Sequence, residues 1–99
     1  MTMPNFSHPF NGNNCDKTLN ENELIRAIRF SIAGEFEAIQ LYDQLAHSID
    51  NKLAKEVLLD IAEEEQEHVG ELLKVLETIS PEEIENYDKG KSEVEEKFF

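Results

Sequence analysis

Ninety-nine residues carrying 22 acidic side chains against 9 basic ones, a net charge of −13, describe one small domain whose surface repels phosphate backbones and anionic membranes. No stretch approaches the roughly 20 apolar residues of a bilayer span, and the single cysteine, Cys15, excludes a disulfide within the chain. Nucleic acid and membrane are therefore set aside as partners, no signal peptide is recognised, and a reducing cytoplasm is the expected compartment.

Residues 1–17, rich in Asn and Pro and without a sustained period, read as a mobile N-terminal arm. His8 and Cys15 fall in it, with no partner spacing that would make them metal ligands. Residues 18–99 read as one helical domain. Thr18-x-x-Glu21 and, overlapping it, Asn20-x-x-Glu23 are each able to cap a first helix, expected over roughly 20–49. Along it Ile25, Ile28, Ile32, Glu35, Ile39, Tyr42, Ala46 and Ile49 follow in steps of three and four, so they share one face. Gly34 costs about 1 kcal/mol relative to Ala inside a helix, which suggests the close approach of another backbone.

A tight turn at Asp50-Asn51 leads into a second helix, expected over 52–79, with the stripe Ala54, Leu58, Ile61, Glu65, His68, Leu72, Val75 and Ile79. Ser80-Pro81-Glu82-Glu83 opens a third, with Ser80 as cap, Pro81 at the first helical position and Glu83 closing a capping box. That helix is expected to be short and to break near Gly90. The aromatics of Glu95-Glu96-Lys97-Phe98-Phe99 suggest docking onto a sister subunit or another protein.

Each long stripe is interrupted by metal-ligand chemistry. Glu35 lies 15 residues before Asp50, and Glu65 lies 15 after it. At about 1.5 Å per residue both stand roughly 22 Å from the turn, level across an antiparallel hairpin. His68, three residues from Glu65, projects from the same face. Burying a carboxylate without a partner costs several kcal/mol, so something must compensate it.

One Glu plus one Glu-x-x-His is half of the ligand set of ferritin-like di-iron proteins, in which four helices supply two of each. A second copy across a two-fold axis would supply the rest, and a chain this small gains burial by self-association. Carboxylates with an imidazole suit Fe or Mn, with Zn also permitted on affinity. A coiled-coil register device is the alternative for Glu35, with His68 as its satisfied partner. Tyr42 is first a core aromatic, one heptad from Glu35. Glu37, Glu64, Glu67 and Glu71 belong to solvated faces, and His47 beside the turn to the surface.

At Glu35-Phe-Glu-Ala-Ile-Gln-Leu-Tyr42-Asp43-Gln44 and Glu64-Glu65-Gln66-Glu67-His68 the chain resembles the encapsulated ferritins, short two-helix ferritin-like proteins that work inside encapsulin nanocompartments. The similarity covers roughly 20–88 and extends to the ferritin-like domain that precedes the shell protein in some archaeal polypeptides. The resemblance implies an all-α fold in which an antiparallel hairpin with a short C-terminal helix pairs across a two-fold into a four-helix bundle. It implies a ferroxidase that oxidises Fe(II) with O₂ at a di-iron centre shared by two subunits, two iron ions per dimer. Glu35, Glu65 and His68 stand at the ligand positions, with Tyr42 nearby. It further implies a homo-oligomer, commonly a decameric ring of dimers, an encapsulin shell protein as partner, and a place inside that compartment. Two departures stand out. An acidic pair that forms an outer metal-uptake site in some members is here Gly34 and Glu37, and the acidic C-terminal tail shows no recognisable targeting peptide. A rubrerythrin-like peroxide reductase and a non-catalytic helical assembly module are the other functions these residues permit.

Overall fold

A computed structural model describes residues 18–99, all helix apart from short joints: α1 spans Glu21–His47, α2 spans Lys52–Ile79 and α3 spans Pro81–Phe98. The N-terminal arm, with His8 and Cys15, lies outside the described residues. α1 begins where Asn20 accepts a 2.9 Å hydrogen bond from the Glu23 N–H, while the Glu23 carboxylate accepts one of 3.0 Å from the Asn20 N–H. Of the two overlapping boxes, Asn20/Glu23 is the one formed. Asn51 starts α2 in the same manner, its side chain accepting from the Ala54 N–H at 2.9 Å.

The two long helices pack antiparallel through one apolar seam. α1 ends at His47, short of the expected residue 49, so Ile49 falls in the joint; it and the seven stripe residues on the helix are all buried or half-buried, Ile32 and Ala46 most completely. α2 differs from the sequence expectation. Its buried positions are Ala62, Val69 and Leu76, none of which belongs to the expected stripe. Leu58, Glu65, Leu72 and Ile79 are half-buried, whereas His68 and Val75 are exposed. Heptad geometry explains the difference. The Leu58–Glu65–Leu72–Ile79 line has Ala62, Val69 and Leu76 on one side and Ala54, Ile61, His68 and Val75 on the other, and α1 covers the first side. The core joins Ile32, Val69 and Leu76, with Ile25, Ile28, Ile39, Leu72, Leu73 and Ile84 packed against it. Leu76 is the most enclosed large side chain, and burying one of that size contributes roughly 1.5–3 kcal/mol.

α3 corrects two further expectations. It runs unbroken through Gly90, because a single glycine costs only about 1 kcal/mol and the surrounding Lys and Glu residues are good helix formers. Ser80 makes no side-chain cap: the Glu83 N–H that its hydroxyl would accept donates to the Ser80 carbonyl at 3.1 Å, and the Glu83 carboxylate that would reach back is held by Arg29 of α1. No residue of α3 is buried. A Cβ built on Gly34 meets nothing within 4 Å, so no other part of the described chain approaches that glycine.

Candidate metal centre

The seam register brings Glu35 of α1 opposite Glu65 of α2, and one helical turn further His68 leans over both from the flank. One ligand atom from each of the three residues lies within 4.8 Å of the others. His68 Nδ1 stands 3.5 Å from Glu35 Oε2 and 3.5 Å from Glu65 Oε2. Donor atoms bonded to one ion at about 2.1 Å stand no more than about 4.2 Å apart, so small rotamer adjustments close the triangle on a metal. At 3.5 Å the histidine contacts are ion-pair distances and too long for good hydrogen bonds.

Burial in the triangle is uneven. The Glu35 and Glu65 side chains are 23% and 20% exposed, while His68 is 46% exposed. Glu35 Oε2 is shut away from solvent and accepts no hydrogen bond. A buried, unsatisfied carboxylate oxygen aimed at an imidazole and a second carboxylate is what a cation would satisfy, so the donor set fits a metal of the Fe or Mn kind. Three donors leave coordination positions open, and the open side is the His68 flank of α2, where Ile61 and Val75 are one heptad away in either direction.

A comparison of architectures decides the family. The encapsulated ferritin domain of Pyrococcus furiosus, known as a crystal structure, superposes with a TM-score of 0.82 at 36% identity, over 88% of this chain and 89% of that one. The chain belongs to the encapsulated ferritin family. The rubrerythrin family model matches residues 27–98, which sets the chain within the wider ferritin-like class. A ferritin-like–encapsulin shell fusion protein of Pyrococcus furiosus is 37% identical over 83 residues, covering 84% of this chain and 24% of that protein. The encapsulin nanocompartment cargo protein EncC of Myxococcus xanthus is 33% identical over 66 residues, 67% of this chain and 51% of its own length. The chain thus spans about a quarter and about half of these two relatives.

Other residues singled out in the sequence stand apart from the triangle. Tyr42 is half-buried one heptad along α1, about 10.5 Å further on, with no hydrogen bond to the three ligands. His47 is exposed, its Nδ1 2.8 Å from the Asp43 carbonyl and 3.5 Å from the Asp43 carboxylate. Glu37, Glu64, Glu67 and Glu71 are exposed. No helix among the described residues is long and apolar enough to cross a membrane. Sequence reasoning missed the cluster of Arg29, Glu83 and Tyr87: Glu83 and Tyr87 are four apart on α3, but Arg29 lies on α1, 54 residues from Glu83, and no local spacing links it to them.

Proposed function

We propose that the chain is a ferroxidase, oxidising Fe(II) to Fe(III) with O₂ at a di-iron centre completed by a second copy. The orphaned Glu35 Oε2 beside Glu65 and His68 is the observation that carries this reading. Each copy brings one Glu and one Glu-x-x-His, and two copies across a two-fold supply the full ligand set of a ferritin-like pair. Fe(II) is the substrate. Each of two ferrous ions gives up one electron, and O₂ takes both with two protons. Glu35 and Glu65 hold the pair and offset its charge, and His68 closes the flank. Tyr42, one heptad away, is proposed as an auxiliary group beside this layer.

The family and the names of its relatives support the setting. A nanocompartment cargo protein and a shell fusion at over 30% identity favour work inside an encapsulin shell, which would store the oxidised iron. A ring of dimers is the proposed assembly.

Anaerobic Fe(II) titration followed by exposure to O₂ tests the proposal. Saturation near one iron per chain, with a rapid rise in ferric absorbance lost in Glu65→Ala and His68→Ala, is the expected result. Wild-type oxidation rates in either variant would overturn it. A rubrerythrin-like peroxide reductase would use the same donors, and the family model favours keeping it as the second reading. Against it, the lone Cys15 leaves no Cys-x-x-Cys electron-delivery module within these residues. Faster oxidation by H₂O₂ than by O₂, sustained by a reductant, would select that reading.

A further inference from the structure

α3 is attached to the hairpin in an unusual way. Ser80 alone separates it from α2, with φ −144° and ψ 65° and no side-chain cap. Pro81, next in the chain, has no N–H, so the joint is held by the Ser80 N–H donating to the Leu76 carbonyl at 2.7 Å and the Glu83 N–H donating to the Ser80 carbonyl at 3.1 Å. Beyond the joint, only Glu83 and Ile84 of α3 are even half-buried, and residues 85–99 are exposed. Apolar packing of that extent does not by itself fix the direction of an 18-residue helix.

One polar cluster supplies what packing lacks. Arg29 of α1 reaches across to Glu83, its Nε 3.1 Å from each carboxylate oxygen and its Nη2 2.5 Å from Oε1. The Tyr87 hydroxyl, one turn further along α3, donates to Glu83 Oε2. The Glu83 side chain is 14% exposed and that of Arg29 52%, so the carboxylate is sheltered while the guanidinium lies at the surface, and the two-pronged geometry gives the pair its direction. Arg29 and Tyr87 also line an open groove of about 350 Å³ floored by Ile32, Phe36, Leu73 and Leu76. The cluster thus ties α1 to α3 at a groove that two of its members line.

We propose that Arg29, Glu83 and Tyr87 form a latch that sets the angle at which α3 leaves the hairpin, with Ser80 as the hinge. The lever is long. An 18-residue helix extends about 27 Å, so a change of about 20° at the hinge moves its far end by about 9 Å. Ile84, Tyr87, Lys91, Val94 and Phe98 follow in steps of three and four on one face of α3. Ile84 packs against the core and Tyr87 holds the latch, while Val94 and Phe98 stand exposed. The latch therefore decides where those two apolar side chains are presented. It is independent of the metal centre, since none of its members belongs to the ligand triangle.

Pulsed electron-electron distance measurement tests this in the full-length chain. Spin labels go on Glu63→Cys in α2 and Ser92→Cys in α3, in a Cys15→Ser background diluted with unlabelled chain so that distances are read within one molecule. The latched protein gives one narrow distribution. Arg29→Gln and Glu83→Gln broaden it by about the 6 Å that a 20° swing produces at residue 92, about 18 Å along the helix from Ser80, and Tyr87→Phe broadens it less. Arg29→Lys, which keeps the charge but loses the two-pronged fork, falls between. Amide exchange over 81–98 stays protected in every variant, because α3 is freed and not melted. A narrow distribution that persists in Arg29→Gln and Glu83→Gln would overturn the latch, as would loss of α3 amide protection in them.

Discussion

A carboxylate oxygen shut away from water and hydrogen-bonded to nothing, as Glu35 Oε2 is, destabilises a metal-free fold by about 1–3 kcal/mol. Glu35→Leu removes that cost and fills the seam, so in the presence of a chelator its Tm should rise, by about 4–8 °C per kcal/mol for a domain of this size. Manganese(II), which binds without turnover, should reverse the order. At 100 times the dissociation constant a site that exists only in the folded state adds about 2.7 kcal/mol, and Glu35→Leu gains none of it. Melting curves with chelator and with Mn(II) check both halves, and a chelator-state Tm below the parent's would remove the orphaned oxygen from the account. His68→Ala should behave differently, because His68 is exposed in the chain: unchanged melting in chelator, and no stabilisation by metal. The clustering of Glu35, Glu65 and His68 was legible in the sequence because Glu35 and Glu65 are equidistant from the turn, which depends only on helix rise. The Arg29–Glu83 pair was not. Ser80-x-x-Glu83 reads as a capping box from local spacing, and its competitor for Glu83 lies 54 residues upstream.

Helices are legible to the extent that their apolar lines are unambiguous. α1 has one line, and every residue named on it is covered. α2 has three adjacent lines that all satisfy heptad spacing, and only the position of α1 distinguishes the buried flank of Ala62, Val69 and Leu76 from the flank where Ala54 and Ile61 are half-buried and His68 and Val75 exposed. Leu76→Ala is therefore expected to cost about 2–5 kcal/mol, read as a shift in urea midpoint at unchanged slope. α3 carries its own pH signature. Arg29, and after it Tyr87, hold the Glu83 carboxyl below its ordinary value of 4.5. A carboxyl depressed on folding contributes stability above that ordinary value and loses it as pH falls through the lower, folded one. The difference in Tm between the parent and Arg29→Gln, present at neutral pH, should close as the solution is taken well below 4.5. The Glu83 carboxylate, by accepting the Tyr87 hydrogen bond, raises the phenol above 10.0. That contribution is complete below 10.0 and lost as pH rises through the raised folded value. In a Tyr42→Phe background, tyrosinate absorbance should therefore rise later in the parent than in Glu83→Gln.

For the molecule as a whole, the α2 flank links assembly to metal. Ile61, His68 and Val75 repeat every seven residues on the side of α2 that its own chain covers only in part, Ile61 half-buried and the other two exposed, so the apolar pair brackets a candidate ligand. If a second copy completes the centre there, a charge at Val75 should unmake the centre without touching a ligand. Val75→Asp sits on an exposed helix position, where substitutions away from special contacts change stability by no more than about 0.5 kcal/mol. The hairpin of each chain should therefore stay folded. Two such aspartates facing each other across a two-fold, in a protein already at −13, oppose pairing. Light scattering should show the variant as a smaller species, and Fe(II) titration should show saturable binding at about one ion per chain in the parent and none in the variant. Because Glu35, Glu65 and His68 are all intact in Val75→Asp, lost binding would trace to the missing second half-site. Parent stoichiometry and affinity in a monomeric Val75→Asp would instead place the whole centre within one chain, and the two-fold sharing of the ligand set would have to be given up.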